Sequence, residues 1–193
     1  MLENEGKEFV VDQYNEKVLR FLLLYFNGDK SCEEIFPGEG HSVKKNILLM
    51  GPPGTGKTLI MQIFSEYLRR SRNELVFRNI GATELLNYQK VYGHINLFTY
   101  NFQDSKSFEA KPIHLCINDL GVSAENQKSF GTDLGTIIDE FLYARYEIWV
   151  NKGKRYHITT NMEPLDFKKV YDTRLVDRMK AFNLLRLKGK SRR

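Results

Sequence analysis

The chain has 193 residues, 41% hydrophobic and 12% aromatic, enough for one sizeable core and too few for two large domains. A formal charge of +5 and a pI near 9.1, with some excess of Lys and Arg at the C-terminal end, suit a polyanionic partner. Cys32 and Cys116 are the only cysteines and Cys116 lies in an apolar run, which argues against a disulfide scaffold and for a reducing, cytoplasmic setting. No apolar stretch approaches membrane-spanning length and Met1-Leu2-Glu3-Asn4-Glu5 lacks the order of a signal peptide, so a soluble protein with no membrane partner is expected.

Over residues 12–26, Val18, Leu19, Leu22, Leu23 and Phe26 recur at helical spacing, and Asn27-Gly28-Asp29 supplies a stop. Residues 31–42 carry Pro37, Gly38 and Gly40 among charged residues and read as a connection. The predicted division is an N-terminal helix and linker over 1–42 and a core over 43–193. Asn46-Ile47-Leu48-Leu49-Met50 is a short apolar run, and Leu59, Ile60, Ile63, Phe64, Tyr67 and Leu68 then follow helical period, giving strand, loop, helix. Residues 75–80 read as a second strand, followed by a capped helix starting near Thr83 with Leu85 and Leu86 facing inward.

Residues 88–111 are aromatic and polar without a clean period. Ile113-His114-Leu115-Cys116-Ile117 forms a third strand ending in Asn118-Asp119, and Leu134, Ile137, Ile138, Phe141 and Leu142 mark a long helix towards Val150. Asn151-Lys152-Gly153-Lys154 then turns the chain into a fourth strand that ends in Thr159-Thr160-Asn161. This alternation implies right-handed crossovers, a parallel sheet with helices on both faces, and ligands at the C-terminal strand edge.

Gly51-Pro52-Pro53-Gly54-Thr55-Gly56-Lys57-Thr58 is a complete Walker A sequence between a strand and a helix. Its glycines let successive backbone N–H groups converge on phosphates, and the helix N-terminus behind them adds a favourable dipole. Lys57 is placed to reach the β- and γ-phosphates and the Thr58 hydroxyl to ligate Mg²⁺, so ATP and Mg²⁺ are the expected cofactors. The strand ending in Asn118-Asp119 supplies the metal-side group and the water-activating group, here an amide followed by an acid. An amide oxygen stabilises Mg²⁺ less than a carboxylate does, so either hydrolysis is slowed or Asp119 takes over part of the metal role. Thr159-Thr160-Asn161, at the next strand end, reads alone as a turn signal and beside a Walker loop could place Asn161 between γ-phosphate and catalytic water as a polar sensor. Arg174 and Arg178 stand four apart on one helical face, a spacing shared by solvated helices and by an arginine finger with its helper.

Gly-Pro-Pro-Gly-Thr-Gly-Lys-Thr, Ile-Asn-Asp-Leu-Gly at 117–121, Thr-Thr-Asn at 159–161 and Arg-Leu-Val-Asp-Arg at 174–178 together resemble the DnaC/DnaI-type helicase loaders, and IstB-type transposition ATPases share the pattern. The resemblance spans residues 44–193. It implies an α/β P-loop NTPase of the AAA+ type, a three-layer sandwich on a parallel sheet, without a full C-terminal lid because only residues 162–193 follow Asn161. It also implies that Asn161 is the sensor-1 residue and that Arg178, with Arg174 beside it, acts on a neighbouring subunit's ATP, so that hydrolysis requires self-assembly. A replicative helicase or a transposase is the implied protein partner. Asn118 departs from the family, which usually has Asp there.

Single-stranded DNA is a further candidate partner. Tyr88, Tyr92, His94, Phe98, Tyr100 and Phe102 could stack on bases, although packing of a long surface loop is the commoner use of such residues, and Lys188, Lys190, Arg192 and Arg193 form a basic tail. Two rival readings stand beside an ATPase: an ATP-gated binding module with slow or no hydrolysis, and a P-loop small-molecule kinase, against which the Thr-Thr-Asn and paired-arginine pattern argues.

Overall fold

Strand alternation sorts the core into two layers. In β1 (Asn46–Met50) all five residues are buried, with Ile47 and Leu49 joining one hydrophobic cluster and Leu48 and Met50 the other. The computed structural model, which describes residues 9–101, 110–121, 134–171, 173–189 and 191, sets this strand inside a five-stranded sheet. The partners are β2 (Phe77–Gly81), β3 (His114–Leu120), β4 (Tyr156–Thr160) and β5 (Phe182–Arg186), in the order β2-β3-β4-β1-β5 and parallel throughout. Helices α1 (Glu16–Phe26) and α2 (Lys57–Arg70) cover the Ile47 face. Helices α3 (Ala82–Tyr92) and α4 (Leu134–Lys152), with the short α5 (Pro164–Val170) and α6 (Thr173–Arg178), cover the other. The predicted three-layer parallel sandwich is the one observed.

Several boundaries move for local reasons. α1 starts at Glu16 because the Asp12 carboxylate accepts from the N–H groups of Tyr14 and Asn15, and the Asn15 side-chain Oδ1 accepts from that of Asp12, closing a turn before the helix. Asn73 does the same at Leu75, so β2 begins at Phe77. α3 follows β2 directly, with Gly81 at its N-cap and no side-chain cap, and Thr83 lies inside its first turn. It runs on to Tyr92, which puts Tyr88 and Tyr92 on a helix. β5 and α5 had no counterpart in the sequence reading.

The described part of residues 1–42 shares the core. Val18, Phe21, Leu22, Tyr25 and Phe26 of α1 are all buried in the α2-side cluster. The linker is tied to β5 reciprocally: Ser42 N–H donates to Asn183 Oδ1 at 2.7 Å, and Asn183 Nδ2 donates to the Ser42 carbonyl at 2.8 Å. Cys32 and Cys116 are buried and unbridged. Among the described residues no helix is long and apolar enough to cross a membrane.

Candidate nucleotide-binding site

The loop between β1 and α2 turns sharply enough that Gly51, Gly54 and Gly56 all take positive φ. At Gly51 a Cβ would strike the carbonyl of Leu187, and at Gly54 it would strike the Ser191 side chain, so chain beyond β5 lies against the loop. Thr55 braces the turn by donating its hydroxyl to the Pro52 carbonyl at 2.8 Å. Lys57, 4% exposed, donates through its ammonium to the carbonyls of Gly51 (2.7 Å) and Pro52 (2.9 Å). No side chain caps α2, leaving the N–H groups of its first turn to meet an anion.

The end of β3 differs from the expected run of strand and polar pair. Ile117 pairs with Ile158 but Leu120 with Thr160, so β3 carries one residue more than β4 across this interval. This is a bulge, and Asp119 within it has φ 59°, a left-handed conformation that costs a non-glycine residue about 1 kcal/mol. A chain of hydrogen bonds offsets that cost: the Asp119 N–H donates to Thr159 Oγ1 (3.0 Å), Thr159 donates to Asn118 Oδ1 (3.3 Å), and Asn118 Nδ2 donates to Asn79 Oδ1 (3.1 Å). Asn118, 4% exposed, is thus engaged at both ends of its amide inside the sheet. Asp119 is exposed, and both its carboxylate oxygens lie 3.3 Å from the Thr58 hydroxyl that donates to them. The acid expected on the water side is therefore the one beside the Walker threonine, while the amide expected on the metal side pins the bulge, a task that needs a donor and an acceptor in one side chain.

Asn161 follows β4 at the same edge, and its Oδ1 is buried without a hydrogen-bond partner. Thr58 lies in the first turn of α2 just after the Walker glycines, Asp119 is the penultimate residue of β3, and Asn161 directly follows β4. The oxygen-only pair Thr58–Asp119 suits a hard cation such as Mg²⁺. Among the described residues no three His, Cys, Asp or Glu gather as a cage.

The two arginines part company. Arg174 is exposed on α6, whereas the Arg178 guanidinium packs between the rings of Tyr143 and Tyr146. Tyr88 packs at a tilt on Tyr92 (4.4 Å between centroids), meets buried Phe98 edge-on (5.0 Å) and has His94 beside it, while Tyr92 is 60% exposed. Tyr100 is tied to α4 through Glu147. Lys188 is exposed, and Phe102, Lys190, Arg192 and Arg193 lie outside the described residues.

Sequence reasoning missed a cavity of about 310 Å³ beside the loop, walled by Gly51, Pro52, Glu163, Arg186, Leu187 and Lys188. Tyr14 packs on Gly189 at its rim. Its signal lay in Arg186, the last residue of β5, and in Lys188 just beyond it, both of which line the cavity.

Strand order, Walker loop and strand-end polar groups together define a P-loop nucleotide-binding domain of the AAA+ fold. Residues 47–141 match the sequence profile of the ATPase family associated with various cellular activities, AAA. The fold is similar to domain III of the replication initiation protein DnaA from Thermotoga maritima, with TM-score 0.62 and 21% identity over 93% of this chain and 65% of that one. It is also similar to a replication initiator DnaA bound to AMPPCP and single-stranded DNA (TM-score 0.60, 15% identity, 98% of this chain and 50% of that one). A Streptococcus pyogenes serotype M3 protein described as a primosome component matches with TM-score 0.61 and 14% identity over 98% of this chain and 87% of that one. The chain thus spans less than two thirds of both DnaA chains, and at these identities the likeness concerns the fold. No curated protein matches it in sequence.

Proposed function

We propose that this chain binds and hydrolyses ATP as an AAA+ protein whose site is completed by a second copy, and that it serves DNA replication as a helicase loader or transposition as an IstB-type partner of a transposase. The observation that carries the reading is the meeting of Thr58 with Asp119 above a Walker loop whose neighbour, Asn161, has an unpaired buried oxygen. In this reading the α2 N-terminus and Lys57 hold the phosphates, Lys57 exchanging two backbone carbonyls for phosphate oxygens. Thr58 and Asp119 would hold Mg²⁺, which would supply positive charge against that developing on the phosphate oxygens. Asn161 orients the attacking water, and Arg178, with Arg174 beside it, reaches a neighbouring subunit's nucleotide. The replication role is supported by the four-motif series and by the DnaA and primosome proteins that share the fold. Single-stranded DNA is a partner in keeping with the net charge, exposed Tyr92 and the DNA-bound relative.

The test is ATP turnover measured across protein concentration, with and without single-stranded DNA. Turnover per subunit should rise with concentration and with DNA. Lys57→Ala should abolish ATP binding, and Arg178→Ala should retain binding while losing at least about tenfold in turnover. Full turnover by Arg178→Ala would remove the finger assignment.

One observation favours the second reading, an ATP-gated module that hydrolyses slowly. Asn118 is engaged within the sheet and Leu120 is 1% exposed, so Asp119 is the single acid at this strand end and faces two tasks. Tight ATP binding without turnover at any protein concentration would select this reading.

A further inference from the structure

Arg178 closes α6, and its guanidinium lies between two rings of α4. Its Cζ is 4.3 Å from the centroid of Tyr143 and 4.5 Å from that of Tyr146, both within the range where a ring quadrupole attracts a cation. The rings are themselves fixed. Both pack on the hydrophobic cluster under α4, and Tyr146 leans on Trp149 at 5.8 Å. The edge of the guanidinium is less well served, because Nη1 is buried with no hydrogen-bond partner. Asp177, the acid next to it in sequence, is paired with Lys180. The cation is therefore held by two rings while a donor stays unmet. An anion that offers in-plane acceptors competes with the rings on favourable terms, since phosphate oxygens match the guanidinium fork.

We infer that Tyr143 and Tyr146 are positioning residues for Arg178: they hold the guanidinium against its own subunit until the phosphates of a nucleotide bound to a second copy of this chain draw it out. The inference rests on the reading that Arg178 acts on a neighbour's nucleotide. Leaving the rings then forms part of the assembly equilibrium and has no part in the chemistry that follows. Weakening the rings shifts the protein concentration at which turnover appears and leaves turnover in the assembled state alone.

The double variant Tyr143→Leu/Tyr146→Leu keeps apolar bulk under α4 and removes both quadrupoles, whereas Tyr143→Phe/Tyr146→Phe keeps the rings. In ATPase assays of the full chain, the Leu pair should reach half-maximal turnover at a protein concentration lower by about fivefold or more, with an unchanged plateau. The Phe pair should follow the parent protein. A second readout needs no turnover: the side-chain protons of Arg178 should be ring-current shifted in the NMR spectrum of the dilute protein. That shift should persist in the Phe pair, vanish in the Leu pair, and vanish in the parent protein when AMPPCP drives assembly.

An unchanged half-maximal concentration in a folded Leu pair would overturn the inference, as would a lowered plateau or ring-shifted Arg178 signals that survive assembly. If the Leu pair does not fold, the NMR comparison of dilute and assembled parent protein decides. Loss of turnover in Arg178→Ala together with an unaffected Leu pair removes the holding role alone. Intact turnover in Arg178→Ala removes the reading on which it rests.

Discussion

At Gly51 the φ of 151° and the backbone of Leu187 leave no room for a side chain. Gly51→Ala should lower stability by about 1–3 kcal/mol in thermal or denaturant unfolding, and it should weaken ATP binding because the displaced segment also walls the cavity beside the loop. Asn118 is the more discriminating residue. Asn118→Asp places a carboxylate at a 4% exposed position that now needs a donor for Asn79, so it should destabilise by about 1–3 kcal/mol and leave turnover no faster than in the parent protein. A clear rise in ATP turnover would return the metal-side role to position 118. The motif register alone assigned that role to Asn118, because a sequence carries no sign that the strand bulges between Ile117 and Leu120.

At the scale of elements, α4 is anchored by a buried cation. Arg145, 1% exposed, donates through Nη2 to the carbonyls of Ile113 (2.9 Å) and Arg155 (3.0 Å), clasping the entries to β3 and β4. Burial pulls its pKa down to about 10, still far enough above neutrality to keep it charged. Arg145→Ala should cost about 2–4 kcal/mol, measured by urea unfolding, by removing the bond to the Ile113 carbonyl and leaving the Arg155 carbonyl with the Leu115 N–H alone. Sequence periodicity found α1, α2 and the centre of α4, where apolar residues recur on one face. It missed β5, because Phe182-Asn183-Leu184-Leu185-Arg186 mixes polar and apolar residues and only the pairing with β1 fixes their faces. It also missed the second half of α3, where Tyr88 and Tyr92 look like loop aromatics until the helix packs one against the other.

At the scale of the whole molecule, buried histidines couple folding to pH. Burial holds His157 well below the ordinary histidine value and His114 down at about 4, helped by Lys154, Arg155 and Arg145 around them, and burial also lowers His41. Unfolded histidines take up protons near pH 6.5 that the folded protein refuses, so stability falls as pH drops from about 7 towards 4. The lowered carboxyls of Asp29, Glu33, Glu66 and Asp166 act in the same direction at lower pH still, since they lose their hydrogen bonds on protonation. The melting temperature should therefore be clearly lower at pH 5.5 than at pH 7.5; a flat profile over that interval would show that these rings take up protons in the folded protein as readily as in the unfolded chain.

The sequence by itself determined the parts that depend on local chemistry: the phosphate loop between a strand and a helix, the alternation of strands and helices, and the polar groups at strand ends. These follow from glycine geometry and from periodicity, which act over a few residues. The tertiary structure alone decided which of those groups meet. The bulge in β3 turned Asp119 towards Thr58 and Asn118 into the sheet, β5 carried Leu187 and Ser191 against the Walker glycines, and the packing of α6 on α4 set Arg178 between two rings. Each of these contacts joins segments far apart in the chain, and long-range register is set by the packed sheet and by no local run of residues.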